Sequence, residues 1–265
     1  MTGEGISWRE PEAGFRFEPG EVTVSAAHQQ EKLGACGLDA GVFGLSVDPS
    51  FFIGIGIHAG IRNGISAEGN VNMLSSIIQH RPVQLDEPLL AMGEIRAVTP
   101  VPRGQQVETD TWFETLGGER VVSVPRISLR PDPAKAGTRG AGERPPPVIA
   151  SVDGLTERSS HTLTPDQVKA YSSEGNSIHY EMEAAQKAGF RAPIIGGGMG
   201  VHFLMAAIWA DAPPSALAVD IYFRRPIFWD DTFSVLVDRV GDDWSAICLA
   251  RGEKVLTEAR INQLE

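Results

Sequence analysis

The spacing of apolar and polar positions changes in the same order twice along the chain. In the C-terminal half, Leu217 to Phe223, Phe233 to Val240, Ser245 to Ala250 and Lys254 to Ile261 carry alternating or β-branched apolar residues. That is the period of half-buried strands. Gly241-Asp242-Asp243 and Arg251-Gly252-Glu253 separate them with turn chemistry, so the spacing predicts an antiparallel meander. Upstream lies a glycine-led apolar segment, Gly196 to Ala210, that reads as a helix, and Phe52 to Gly64 is its counterpart in the first half. A shorter helix opens each unit. Thr164 can accept from first-turn amides, Pro165 needs no N–H there, and Gln167 completes a capping box. Ser25 takes the role of Thr164 in the first half. One central helix followed by a meander, twice, is an α+β pattern.

The two halves also share sequence. Arg81-Pro82-Val83 followed by Asp86-Glu87 recurs as Arg225-Pro226-Ile227 followed by Asp230-Asp231, 144 positions later (Arg81 to Arg225). GERVVSVPRI, from Gly118 to Ile127, recurs as GEKVLTEARI from Gly252 to Ile261, 134 positions later (Gly118 to Gly252). Two matches in one order point to a duplication, with ten residues lost from the second copy between them. From Arg130 to Pro147 the chain runs RPDPAKAGTRGAGERPPP, which cannot bury a face and reads as an exposed linker. The expected organisation is therefore an N-terminal unit over residues 1–130, a linker over 131–150 and a C-terminal unit over 151–265.

The net charge of −11 argues against a nucleic-acid or anionic-membrane binder. Cys36 and Cys248 lie far apart with no ligand spacing, so neither a disulfide framework nor a metal site is expected. The start lacks a secretory pattern, and no run approaches the roughly 18 apolar residues of a membrane span. A cytoplasmic location follows as the expectation.

Candidate chemistry sits in one stretch of the second half. Tyr171-Ser-Ser-Glu-Gly-Asn-Ser-Ile-His179 places a carboxylate, Glu174, and an imidazole five residues apart, in a Gly/Asn/Ser loop entering a helix. Ile178, Met182 and Ala185 give that helix an apolar stripe, which would hold His179 near its start. Such a pair can grip one water molecule for general acid/base addition or removal of water. The bare amides of Gly196 to Gly198, at the start of the next helix, could stabilise a developing oxyanion.

This stretch resembles the hydratase-2 motif of MaoC-like enzymes, in which Asp-x-Asn-Pro-Ile-His is followed by a Pro-Ile-x-His-Gly-Met helix start. The resemblance covers Leu163 to Met205. It implies a double hot-dog fold, two central helices wrapped by one continuous antiparallel sheet. It puts Glu174 and His179 in the catalytic pair, with Asn176, Gly197 and Gly198 binding substrate or oxyanion. The chain departs from the motif with Glu174 for Asp, Ser177 for Pro and Gly197 for His. The implied activity is hydration of 2-enoyl thioesters or dehydration of 3-hydroxyacyl thioesters, with coenzyme A as the expected carrier and no cofactor or metal. The expected partners are the acyl thioester and a second copy of the chain in a homodimer. A thioesterase or a non-catalytic acyl-binding subunit are the rival readings.

Aligning Ser25 with Thr164 sets Ala35 opposite Glu174 and Ala40 opposite His179. The first half therefore reads as catalytically silent, a wall for the substrate tail. His202, within VHFLMAAIW, reads as a satisfied core or interface histidine, and His58 likewise. Arg224 and Arg225 are expected to pair with Asp230 or Asp231.

Overall fold

The computed structural model describes residues 7–135, 145–173, 175–241 and 243–265. Strand β1 (Arg16–Val22) leads into helix α1 (Ala26–Ala35), then α2 (Phe51–Arg62), then β2 (Val71–Gln79), β3 (Leu89–Val101), β4 (Gly104–Thr115), β5 (Arg120–Ser123) and β6 (Arg126–Pro131). The second half repeats this order. It runs β7 (Thr156–Thr162), α3 (Pro165–Ser172), the short α4 (Met182–Lys187), α5 (Gly197–Asp211), β8 (Leu217–Phe223), β9 (Thr232–Val240), β10 (Asp243–Arg251) and β11 (Lys254–Leu264). Among the described residues no helix is long and apolar enough to cross a membrane.

Among the described residues eleven strands form one sheet in the order β1-β3-β4-β5-β2-β8-β11-β10-β9-β7, with β6 beside β2 and β4. Every pairing is antiparallel. The halves join where β2 meets β8, in the register Leu74↔Tyr222, Ile77↔Val219 and Gln79↔Leu217. Reading outward from that seam gives the same series of strands on both sides. The changing offset between the repeats has a structural origin. The β3–β4 hairpin uses strands of 13 and 12 residues, and its counterpart β9–β10 uses 9 and 9. The second repeat, continuous in β11, is broken between β5 and β6. Pro125, which has no N–H to give the ladder, lies in that break.

The helices lie against the sheet because their apolar faces have nowhere else to go. Phe52 of α2 meets Phe113 of β4 with ring centroids 4.7 Å apart. At Gly56 an added Cβ would stand 3.2 Å from Val124 and 3.3 Å from Thr111, so glycine permits that approach. Helix α5 is apolar on every side, as a helix buried all round must be. It packs on its own sheet and on the first half, with Trp209 beside Phe43 (5.4 Å).

The connection between the halves differs from the expected linker at both ends. Arg130 and Pro131 are part of β6, where β4 supplies partners to their backbone (Gln105↔Arg130). Residues 145–149 are bound to the outer face of the second half. Arg224 donates to the Pro145 and Pro146 carbonyls at 3.1 and 2.9 Å and to Glu258 at 2.6 Å. Glu258, itself fully buried, accepts the amides of Val148 and Ile149 at 3.0 and 2.9 Å. Ile149 is buried against Leu236, Ala246 and Val255. A buried carboxylate is tolerable when each oxygen is occupied in this way. Residues 136–144 of the proposed linker lie outside the described residues. Arg224 therefore holds this strap, and Arg225 donates to the Val255 carbonyl. Asp230 and Asp231 are paired instead by Arg191, and Asp231 by Arg251 as well.

Candidate functional site

The site is assembled at the start of α5. Thr164 caps α3 with the full capping box, and Ser25 caps α1 by accepting from His28, so the two helix starts correspond as expected. After α3 the chain makes a single 3-10 turn, Ser177–His179. Asn176 caps it, its Oδ1 accepting the Ile178 amide at 3.2 Å. His179 thus stands on a capped turn of its own, not at the head of a helix with an apolar stripe. Met182 begins the separate α4 and is exposed, while Ala185 is buried. Glu174 lies outside the described residues.

The orientation of His179 is set by the chain that follows. Its Nδ1 lies 2.8 Å from the Ile194 carbonyl. A carbonyl only accepts, so Nδ1 carries the proton and Nε2 is left as an acceptor. Ile194 is itself fixed, bonded through its amide to Ile178 O and bridged to Phe228, while Ile195 N donates to Ile227 O. The Nε2 end of the ring lies beside the entrance of α5: a Cβ added at Gly196 would stand 3.7 Å from Nε2, 3.8 Å from Cε1 and 3.9 Å from Cδ2. Burial lowers the pKa of His179 below the ordinary histidine value, partly opposed by the Ile194 bond. The ring is a neutral base at neutral pH.

Helix α5 begins on glycines, with no side-chain cap bond from its N-cap, Gly196. The Gly200 amide is bonded to Gly196 O at 3.5 Å. The amides of Gly197, Gly198 and Met199 precede that ladder, as the first amides of any helix do, and carry its positive end. Gly197 has a steric reason of its own. An added Cβ would lie 2.8 Å from the Phe223 ring, so Phe223 of β8 fills the space that a longer residue would need. At Gly198 the nearest atom is the Tyr171 hydroxyl, 3.6 Å from an added Cβ. His179 and Gly196 to Gly198 are brought together; Asn176 is used in holding the turn. Among the described residues no three His, Cys, Asp or Glu side chains gather into a metal-binding group.

Sequence reasoning missed a second group of residues here. His202 is buried, as expected, but its partners come from across the molecule. Its Nδ1 is 2.7 Å from Asp48 Oδ2 and 2.6 Å from Ser50 Oγ, and its Nε2 is 2.8 Å from the Tyr171 hydroxyl. Asp48 and Ser50 lie just before α2, over 150 residues away in sequence. The only signal was a histidine inside an otherwise apolar helix, which needs a polar partner somewhere.

The correspondence with the first half also shifts. The 3-10 turn Ala40–Phe43 is capped by Asp39, which accepts from Gly41 as Asn176 accepts from Ile178. Matching the two caps sets Val42, rather than Ala40, opposite His179. Neither residue can carry a proton.

No protein-family model and no curated protein sequence matches the chain. Solved structures do. HtdX from Mycobacterium tuberculosis superposes with a TM-score of 0.74 at 20% identity, over 94% of this chain and 99% of that one. A MaoC-like dehydratase from Phytophthora capsici gives 0.69 at 16% identity, over 94% and 96%. A protein of M. tuberculosis described as a double hot-dog fold gives 0.60 at 12%, over 94% and 95%. The continuous antiparallel sheet, with a central helix for each half, is the double hot-dog fold shared by these proteins.

Proposed function

We propose that the protein is a MaoC-like lyase that hydrates 2-enoyl thioesters or dehydrates 3-hydroxyacyl thioesters. One observation carries this reading: an imidazole whose Nδ1 donates to the Ile194 carbonyl lies with its Nε2 end beside a helix N-terminus built of glycines, whose N-cap makes no side-chain cap bond. An acceptor beside the first amides of a helix suits a reaction in which water loses a proton while an enolate oxygen gains charge. The resemblance of the Tyr171–His179 stretch to the hydratase-2 motif supports it. So does the fold shared with MaoC-like dehydratases.

In the hydration direction, water would be held between Glu174 and His179. His179 Nε2 takes one water proton as the oxygen adds to the β-carbon. Glu174, protonated, delivers a proton to the α-carbon. The thioester oxygen rests on the amides of Gly197 and Gly198, which favour the enolate over the ground-state carbonyl. The longer reach of Glu174 replaces the family's aspartate. With Gly197 where the family has histidine, Phe223 packs against the helix start and makes that wall apolar.

The test is a panel of enoyl thioesters, followed by loss of the conjugated thioester absorbance, with free thiol assayed in parallel. Consumption of the enoyl group without thiol release is the expected result. Thiol release with the double bond intact would assign a thioesterase instead. An oleoyl thioesterase from Lactobacillus plantarum shares the fold at a TM-score of 0.61 and 10% identity.

A further inference from the structure

The Asp48–His202–Tyr171 chain has a direction. Asp48 is fully buried and His202 is 1% exposed, within the seam between the halves. Taking such groups out of water costs several kcal/mol, and an apolar pair would hold the seam at lower cost. Asp48 is fixed from three sides. Its amide donates to Gln29 of α1 at 2.8 Å, and its Oδ1 accepts both the amide and the hydroxyl of Ser50, at 2.9 and 2.7 Å. With the Ser50 proton given to Oδ1, the remaining carboxylate oxygen, Oδ2, can only accept from His202 Nδ1. Nδ1 therefore carries a ring proton, and in the neutral ring Nε2 is then the unprotonated nitrogen. The bond between Nε2 and Tyr171 then has one possible donor, the phenol. Its proton points inward, and its oxygen lone pairs remain for the side where Gly198 begins α5. The Tyr171 backbone is tied to the first half as well, since Lys32 of α1 donates to its carbonyl at 3.1 Å.

We propose that Asp48 and His202 are positioning residues that hold the Tyr171 hydroxyl as a hydrogen-bond acceptor at the mouth of α5. There it receives the water, or the 3-hydroxyl group that this water becomes. The first half, silent in its own His179-equivalent position, thereby contributes Asp48 to the one active site. The identity of the group held rests on the hydratase reading above. The hydrogen-bond chain rests on geometry alone. His179 lies by Gly196 and the Tyr171 hydroxyl by Gly198, so a water bound there has an acceptor for each of its two protons, and a 3-hydroxyl group can donate its one proton to either.

Three measurements test this. Tyr171→Phe removes the donor to the buried His202 Nε2, and should lower the melting temperature by several degrees with the fold intact, while lowering kcat about 10- to 100-fold, the worth of one hydrogen bond strengthened in the transition state. KM should change less than about threefold. Asp48→Asn keeps the shape but weakens the hold on His202, and its loss should not add to that of Tyr171→Phe in the double variant, as expected for residues acting through one chain. Nitrogen NMR of the histidines should show His202 protonated on Nδ1, with its Nε2 resonance moved by Tyr171→Phe. A proton on Nε2 instead would overturn the chain. An active wild type with an equally active Tyr171→Phe would overturn the role of Tyr171 and leave the hydratase reading standing. A wild type inactive on every enoyl thioester would overturn the hydratase reading, and with it the ligand assigned to Tyr171.

Discussion

The two central helices begin in opposite ways. At α2 the chain fills its own helix entrance. Asp48 takes the amide and hydroxyl of Ser50, and the amides of Phe51, Phe52 and Ile53 bond back to Asp48, Pro49 and Ser50 carbonyls. A helix N-terminus already holding a carboxylate has little left to offer a ligand's negative charge. At α5 the same place holds Gly196, Gly197 and Gly198, has no side-chain cap, and faces an imidazole acceptor. On the proposed reading, the glycine-led entrance carries the catalysis and the entrance filled by its own carboxylate does not. The closed entrance is still used, since its carboxylate orients His202 of the open half.

The largest expected effect breaks the open end directly. His179→Ala and Glu174→Gln should each lower kcat by roughly 10²–10⁴-fold, the range of general acid/base catalysis, with thermal unfolding unchanged. The double variant should be little slower than either single one. A loss under about tenfold in both would move the chemistry elsewhere.

Closing the open end sterically comes next. Gly196→Ala sets a methyl 3.7 Å from His179 Nε2, an ordinary contact that the fold accepts. That methyl crowds the Nε2 end of the ring, beside which the proposed water is held. Turnover should fall by about tenfold or more at unchanged stability, since misplacement near 1 Å is costly on the order of 100-fold. Gly197→Ala should act through stability instead. Its Cβ meets Phe223 at 2.8 Å, an overpacking worth about 1–3 kcal/mol. Denaturant titration of Gly197→Ala, alone and with Phe223→Leu, checks this; the second change should recover part of the loss.

Acid should affect the open half through His179. Burial depresses its pKa below the ordinary value near 6.5. The unfolded chain then binds the proton first as pH falls. The contribution of His179 to stability is complete above about 6.5 and is lost as pH drops from there through the depressed folded value. The acid limb of kcat/KM should likewise lie below 6.5, because the base stays neutral further into acid. A limb above that value would point to a different base. The smallest effect belongs to the silent half: Ala35→Ser should leave kcat within about twofold, and a larger loss with the fold intact would relocate the site.

Much of the site was legible in the chain because it depends on local rules. The Thr164 capping box, the glycine-led start of α5 and the strands from Leu217 onward are each set by a few neighbouring residues, and they stand where those residues place them. The repeat of Arg-Pro and Gly-Glu segments pointed to two similar halves. The errors arose where local reasoning met long-range contacts. The stripe of Ile178, Met182 and Ala185 reads as one helix, but Asn176 stops and caps a 3-10 turn, and Met182 starts again beyond it. Arg130 and Pro131 read as linker, yet β4 offers their backbone a partner. Arg224 reads as a mate for the adjacent Asp230, but Glu258 on the neighbouring strand lies nearer to its guanidinium.

The sequence by itself determined the duplication and the α+β order, and proposed the acid/base motif, because periodicity, capping and turn chemistry act over a few residues. Tertiary structure alone decided what His202 does. A histidine in an apolar helix demands a partner, but the sequence holds 34 acidic residues and nothing local selects Asp48 among them. That selection is made by the sheet seam between β2 and β8, which brings α2 and α5 together and leaves Asp48 with no water to turn to.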